Sequence, residues 1–218
     1  MRIAAALLDR RAVVERIKSE RAVAVIRTDS LAHALGAANA AVSAGFRVIE
    51  ITFSFHGASK AIAKLAENDE LLVGAGTILT RDHVHEAAEA GARFLVSPCV
   101  LPDVIQAAHD LGIAMIPGAL TPTEIYTAHS LGADIVKIFP AVNSGPEYLR
   151  AVRGPLPDIP IMPTSGVDTS NVADWFRAGA VAVGAVSSVF DPGLMRNGNW
   201  AELTKRAGAF LQAVRAAH

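Results

Sequence analysis

The chain has 218 residues, 51% of them hydrophobic, with 20 Lys and Arg against 21 Asp and Glu and a formal net charge of −1. That is enough chain for one domain with a large core, and a near-neutral balance without basic blocks gives nucleic acid or an anionic membrane no electrostatic hold. No run approaches the ~18 apolar residues of a membrane span, and Cys99, alone of its type, rules out an internal disulfide, so a soluble cytoplasmic protein acting on small molecules is expected.

The opening stretch from Met1 to Leu8 is broken at once by Asp9, Arg10 and Arg11. It is too short for a signal peptide and reads as a helix. From there β-branched apolar runs alternate with Ala-rich amphipathic ones. Strands are predicted at residues 22–27, 47–53, 71–75, 93–97, 113–116, 134–139, 159–163 and 180–186, with helices in the gaps. Gly45, Gly91, Gly112, Gly132 and Gly179, each after Ala or Leu, read as helix ends feeding the next strand. Thr80, Thr121 and Thr169 read as helix caps. Eight strand-helix units imply a single α/β domain over residues 1–218, a (β/α)8 TIM barrel whose extra N-terminal helix covers the barrel bottom. The competing open, doubly wound sheet has in its favour only Gly74 and Gly76, two glycines of a dinucleotide fingerprint.

Two charges sit where the pattern wants apolar residues. Glu50 lies in the second strand, sharing a face with Val48 and Thr52. Lys137 lies in the sixth, sharing a face with Ile135 and Phe139. In one parallel barrel both point inward, placing an acid and an amine in an apolar enclosure. Burial favours the neutral amine, which is a nucleophile towards carbonyls, so Schiff-base chemistry is the leading reading. A buried salt bridge is the structural alternative. Further polar residues fall at the carboxyl ends of the strands, where such barrels do their chemistry: Arg27, Thr52, Ser54, Thr77, Ser97, then Thr164, Ser165 and Gly166, then Ser187 and Ser188. The last two loops are the usual anion site of this fold. His83 and His85, two apart on a predicted helix, do not face each other and read as surface residues. His56 reads as an exposed loop residue, and Cys99 as a small packing residue near the site mouth. Nothing converges on a metal.

Val48 to Phe53, Val73 to Thr77, Val96-Ser97-Pro98, Ile116-Pro117-Gly118, Val136 to Pro140, Gly145-Pro146 and Pro163 to Val167 follow one another. In order and spacing they resemble, over nearly the whole chain, the 2-keto-3-deoxy-6-phosphogluconate (KDPG) and 4-hydroxy-2-oxoglutarate (KHG) aldolases. Each segment alone is a weak signal; together they are a strong one. The resemblance implies a class I, metal-independent lyase without cofactor. In it Lys137 forms the Schiff base with a 2-keto acid and Glu50 is the general acid/base. Arg27 and Thr77 hold the pyruvyl carboxylate, and Thr164, Ser165, Gly166 and Ser187 form the substrate or phosphate site. Thr52, Ser54, Pro98 and Phe139 line the pocket. It also implies a homotrimer. Three positions depart from the family pattern: Ser54 where some members carry Arg, Ser165 where Gly is usual, and Val186 where Gly precedes the Ser. The last two add side chains where backbone would approach a phosphate. An unphosphorylated substrate such as 4-hydroxy-2-oxoglutarate therefore stands beside the phosphorylated 2-dehydro-3-deoxy acids, and a non-catalytic sugar-acid-binding barrel is the reading of another class.

Overall fold

The computed structural model describes residues 9–217. The helix expected over residues 1–8 lies outside them. Eight parallel strands, β1 (Ala22–Ile26), β2 (Val48–Thr52), β3 (Leu72–Gly76), β4 (Phe94–Ser97), β5 (Ala114–Ala119), β6 (Val136–Ile138), β7 (Ile161–Pro163) and β8 (Val183–Ala185), run side by side in chain order, with β8 returning to pair with β1. The ring closes between β7 and β8 through the Thr164–Gly184 bridge and the bond from Val181 N to Ile161 O (2.9 Å). This is a (β/α)8 TIM barrel. Among the described residues no helix is long and apolar enough to cross a membrane.

The strands are buried on both faces, so they read as continuous apolar runs, and their two faces feed two separate cores. Outward residues such as Ile49, Ile51, Val73, Leu95, Met115, Val136 and Ile161 pack against the surrounding helices. Inward ones, among them Val23, Val48, Leu72, Phe94, Ile116, Ile135 and Met162, fill the barrel. Helix α1 (Arg10–Glu20) adds Val13, Val14 and Ile17 to the inner core and so plugs the barrel at the strands' amino ends. Arg10 anchors it there: its Nε donates to both carboxylate oxygens of Asp134 (2.6 and 2.8 Å), and its Nη2 donates to Gly132 O (2.6 Å).

The helix ends follow local chemistry. Thr80 caps α4 (Arg81–Glu89) by accepting from His83 N, and Thr121 forms a reciprocal capping box with Glu124 on α6 (Pro122–Ser130). At Gly45, closing α2 (Leu31–Ala44), φ is +108°, a conformation glycine adopts without strain, and the other four predicted glycines share the positive φ. Thr169 is no cap. Asn171 takes that position before α8 (Val172–Arg177), while Asp168 and Asn171 bond each other's turn. Strand ends also differ from expectation: β7 and β8 begin at Ile161 and Val183 rather than at residues 159 and 180, and the ends of β5 and β6 have local causes. β5 continues through Pro117 and Gly118, because a bare Gly118 lets the backbone approach Pro98 O, only 2.4 Å from where a Cβ would stand. β6 begins only at Val136, because the Asp134 side chain rather than the backbone accepts from Met115 N (2.8 Å) while also binding Arg10.

Candidate active site

Glu50 and Lys137 project into the barrel interior towards the strands' carboxyl ends, 1% and 6% exposed. Among the described residues neither enters a direct ion pair, yet each feels the other's charge. Burial pushes the Glu50 carboxyl above its ordinary value; the charges of Lys137 and, less, Arg27 only moderate the rise. Burial likewise holds the Lys137 amine below its ordinary value, opposed by Glu50 and assisted by Arg27. Both groups are thus driven towards their neutral forms. Lys137 Nζ lies 4.9 Å from the centroid of the Phe139 ring, within range of a cation–π contact whenever that nitrogen is charged.

Glu50 Oε2 is buried and finds no hydrogen-bond partner among the described residues, and the same is true of Thr164 Oγ1. Buried polar atoms are rarely left so, because the loss of hydration is uncompensated. Both belong to the barrel's carboxyl end, Thr164 directly after β7 and bridged to Gly184.

Around this pair the strand ends bring several predicted residues together. Arg27, exposed just beyond β1, donates from Nη2 to Thr77 Oγ1 (2.7 Å). Thr77 holds φ +61°, a left-handed conformation uncommon for a branched residue and one that clusters at functional sites. Thr52 and Ser54 are committed to the scaffold: Thr52 Oγ1 donates to Ile26 O (3.2 Å) and meets Ser54 Oγ (2.8 Å), which in turn donates to Thr28 O (3.2 Å). They strap the segment carrying Arg27 to β2. Pro98 follows β4, beside Gly118. After β7, Ser165 (φ +69°) and Gly166 (φ +103°) turn through two left-handed residues. Gly166 passes so close to Val142 that a Cβ would stand 2.4 Å from its Cα, and Gly166 O accepts from Asn171 Nδ2 (2.8 Å). Ser187 is exposed beyond β8, whereas Ser188 Oγ is spent on Val167 O (2.7 Å), tying the last two loops together. Val186 is partly buried against the inner core.

Sequence patterning alone does not reveal Gly76. A Cβ there would stand 1.9 Å from Glu50 Oε1. The available signal is a second bare residue on the inward face of β3, two along from Gly74. A cavity of about 510 Å3, lined by Arg16, Leu72, Arg93 and Ile113 among others, opens at the opposite end of the barrel and shares no residue with this constellation. Among the described residues no group of three or more His, Cys, Asp or Glu side chains is gathered to hold a metal ion.

The family model for KDPG and KHG aldolase matches residues 13–206, covering every strand and all the residues above. The chain belongs to that family. It is an aldolase, a carbon–carbon lyase. Over 199 residues it is 34% identical to the 2-dehydro-3-deoxy-6-phosphogalactonate aldolase of Escherichia coli K12, spanning 89% of this chain and 95% of that one. The 2-dehydro-3-deoxy-phosphogluconate aldolase of Haemophilus influenzae is 32% identical, over 88% and 91% of the two chains. The structure of the KDPG aldolase of Legionella pneumophila, with pyruvate captured as a covalent carbinolamine, superposes with a TM-score of 0.82 at 29% identity, covering 91% of this chain and 96% of that one.

Proposed function

We propose that this aldolase reversibly cleaves a 4-hydroxy-2-oxo acid through a Schiff base on Lys137, the substrate being 2-dehydro-3-deoxy-6-phosphogluconate or its galactonate epimer and the products pyruvate and glyceraldehyde 3-phosphate. One observation carries the reading: an amine and a carboxyl, both pushed towards neutrality by burial, share one apolar enclosure without pairing directly. The neutral amine attacks the 2-keto carbon, and Glu50 delivers the proton with which the carbinolamine oxygen leaves as water. The resulting protonated imine sits beside the Phe139 ring, whose face favours the positive charge. Glu50, now a carboxylate, takes the C4 hydroxyl proton. The C3–C4 electrons flow into the imine, the aldehyde departs, and the enamine takes up a proton and is hydrolysed to pyruvate.

Arg27 and Thr77 hold the substrate carboxylate, a role suited to a guanidinium fork. The turn at Ser165 and Gly166, with Thr164 and Ser187, receives the distal end of the substrate. Exposed Leu120, Tyr126 and Val142, on α6 and the loops after β5 and β6, offer apolar surface for contact with further copies of the chain, and the family resemblance makes a homotrimer the assembly proposed. Borohydride reduction in the presence of pyruvate, followed by peptide mass spectrometry, tests the mechanism. The adduct is expected on Lys137, with Lys137→Arg giving neither adduct nor cleavage; an adduct elsewhere, or none, would sink it. The same preparations assayed with phosphorylated and unphosphorylated 2-keto-3-deoxy acids, and with 4-hydroxy-2-oxoglutarate, test the substrate.

A further inference from the structure

We propose that Gly76 is a positioning residue for Glu50: its missing side chain is the space in which the catalytic carboxyl sits. This rests on Glu50 being the acid/base. Neither Gly74 nor Gly76 has a positive φ, so the backbone gives no reason for glycine at either position. Space gives one at both, and the two spaces differ. A Cβ on Gly74 would stand 2.4 Å from Phe94 Cζ, in the apolar packing of the barrel interior. A Cβ on Gly76 would stand 1.9 Å from Glu50 Oε1, 2.7 Å from its Cδ and 3.0 Å from its Cγ. All three contacts are with one side chain.

The register explains the overlap. Glu50 pairs with Gly74, and Thr52 pairs with Gly76. The Glu50 side chain leans along the strand towards the barrel mouth and lies across the next pair, as side chains on strands do. An alanine at residue 76 forces the carboxyl to move by about 1 Å or more to recover ordinary van der Waals separation. The enclosure around it is close-packed, so the movement changes both its aim and its hydration. Gly74 therefore admits Phe94 to the core, and Gly76 admits the acid/base to its working position.

The test compares Gly76→Ala, Glu50→Gln, Glu50→Asp and the double variant Glu50→Asp with Gly76→Ala, reading kcat, KM and the pH profile of kcat on 2-dehydro-3-deoxy-6-phosphogluconate. Gly76→Ala is expected to lower kcat by roughly 10²-fold, the scale of a 1 Å misplacement, with KM little changed, the acid limb of the profile displaced and pyruvate still trapped on Lys137. In the double variant the carboxyl is one methylene shorter and escapes the 1.9 Å overlap at Oε1, leaving the 3.0 Å contact at Cγ, so its loss of kcat is expected to be smaller than the product of the two single losses. An unchanged kcat and profile for Gly76→Ala beside an inactive Glu50→Gln overturns the proposal, as does a double variant equal to the product of the single losses. A fully active Glu50→Gln overturns the Glu50 reading, and this role for Gly76 falls with it. Folding supplies an independent readout should Gly76→Ala prove too unstable to assay. The loss of melting temperature caused by Gly76→Ala is expected to shrink in a Glu50→Ala background, where the space is vacant, and equal losses in both backgrounds overturn the proposal.

Discussion

A lysine amine and a glutamate carboxyl enclosed together cost the fold stability, because each loses hydration that the other restores only in part. Replacing both by apolar residues of similar size, Glu50→Leu with Lys137→Met, is expected to stabilise the protein by about 1–4 kcal/mol while abolishing catalysis. The pH dependence has a definite sign. Glu50 binds its proton more tightly folded than unfolded, so wild-type stability falls as pH climbs above its ordinary value of 4.5. Lys137 binds its proton less tightly folded than unfolded, so wild-type stability recovers as pH approaches 10.5. The variant's advantage is therefore greatest between these limits and shrinks towards each, which urea unfolding at several pH values would show; an advantage independent of pH would contradict the shifts. Glu50→Gln alone is expected to slow turnover by roughly 10²-fold or more, the span of a positioned acid/base, with a smaller effect on pyruvate binding. Full retained activity would leave Glu50 a structural counter-ion. Both charges were legible in the sequence because an ionisable residue interrupts an apolar strand. Gly76 was not, because the meaning of a bare position depends on which side chain leans over it from the neighbouring strand.

Among the elements, the eight strands were legible for a simple reason: parallel strands covered on both faces carry unbroken apolar runs, and the turns between them begin or end with capping residues. Their ends were less so. β5 runs on through Gly118 because Pro98 presses against it, and β6 begins late because the Asp134 side chain holds Met115 N and Arg10; both are settled by residues distant in the chain. Thr169 fails as a cap because Asn171 and Asp168, two strong turn formers, stand beside it. The turn after β7 yields a prediction of its own. Ser165 already holds φ +69°, the conformation a glycine would take there without strain, so its side chain leaves the loop's path unchanged. Ser165→Gly should raise stability by up to about 1 kcal/mol, the relieved strain being partly offset by the greater freedom of glycine in the unfolded chain. It should also leave kcat/KM for a phosphorylated substrate undiminished. A destabilised variant, or one that loses the phosphorylated substrate selectively, would show that the Ser165 hydroxyl itself binds there.

At the scale of the whole molecule the barrel has a sealed end and a working end. α1 inserts Val13, Val14 and Ile17 among the inward residues at the strands' amino ends, and the Arg10 clamp on Asp134 and Gly132 holds the helix in register. The proposed chemistry sits at the other end, separated from the plug by the apolar layers that include Phe94, Ile116, Ile135 and Met162. Stability and catalysis are thereby divided along the barrel axis, as is usual for this architecture. Ile17 is fully buried at the centre of the plug, so Ile17→Ala removes methylenes from a site that α1 and the strand ends cannot collapse to fill. A loss of about 2–5 kcal/mol is expected, read as a lower urea midpoint with an unchanged slope. Because the lost contacts lie at the sealed end, kcat and KM of the folded enzyme should stay within about twofold of wild type, the two sites being separate and their effects additive. A variant as stable as wild type would mean that α1 lies on the barrel without sealing it. A stable variant with impaired turnover would mean that the inner core transmits the plug's packing to Glu50 and Lys137.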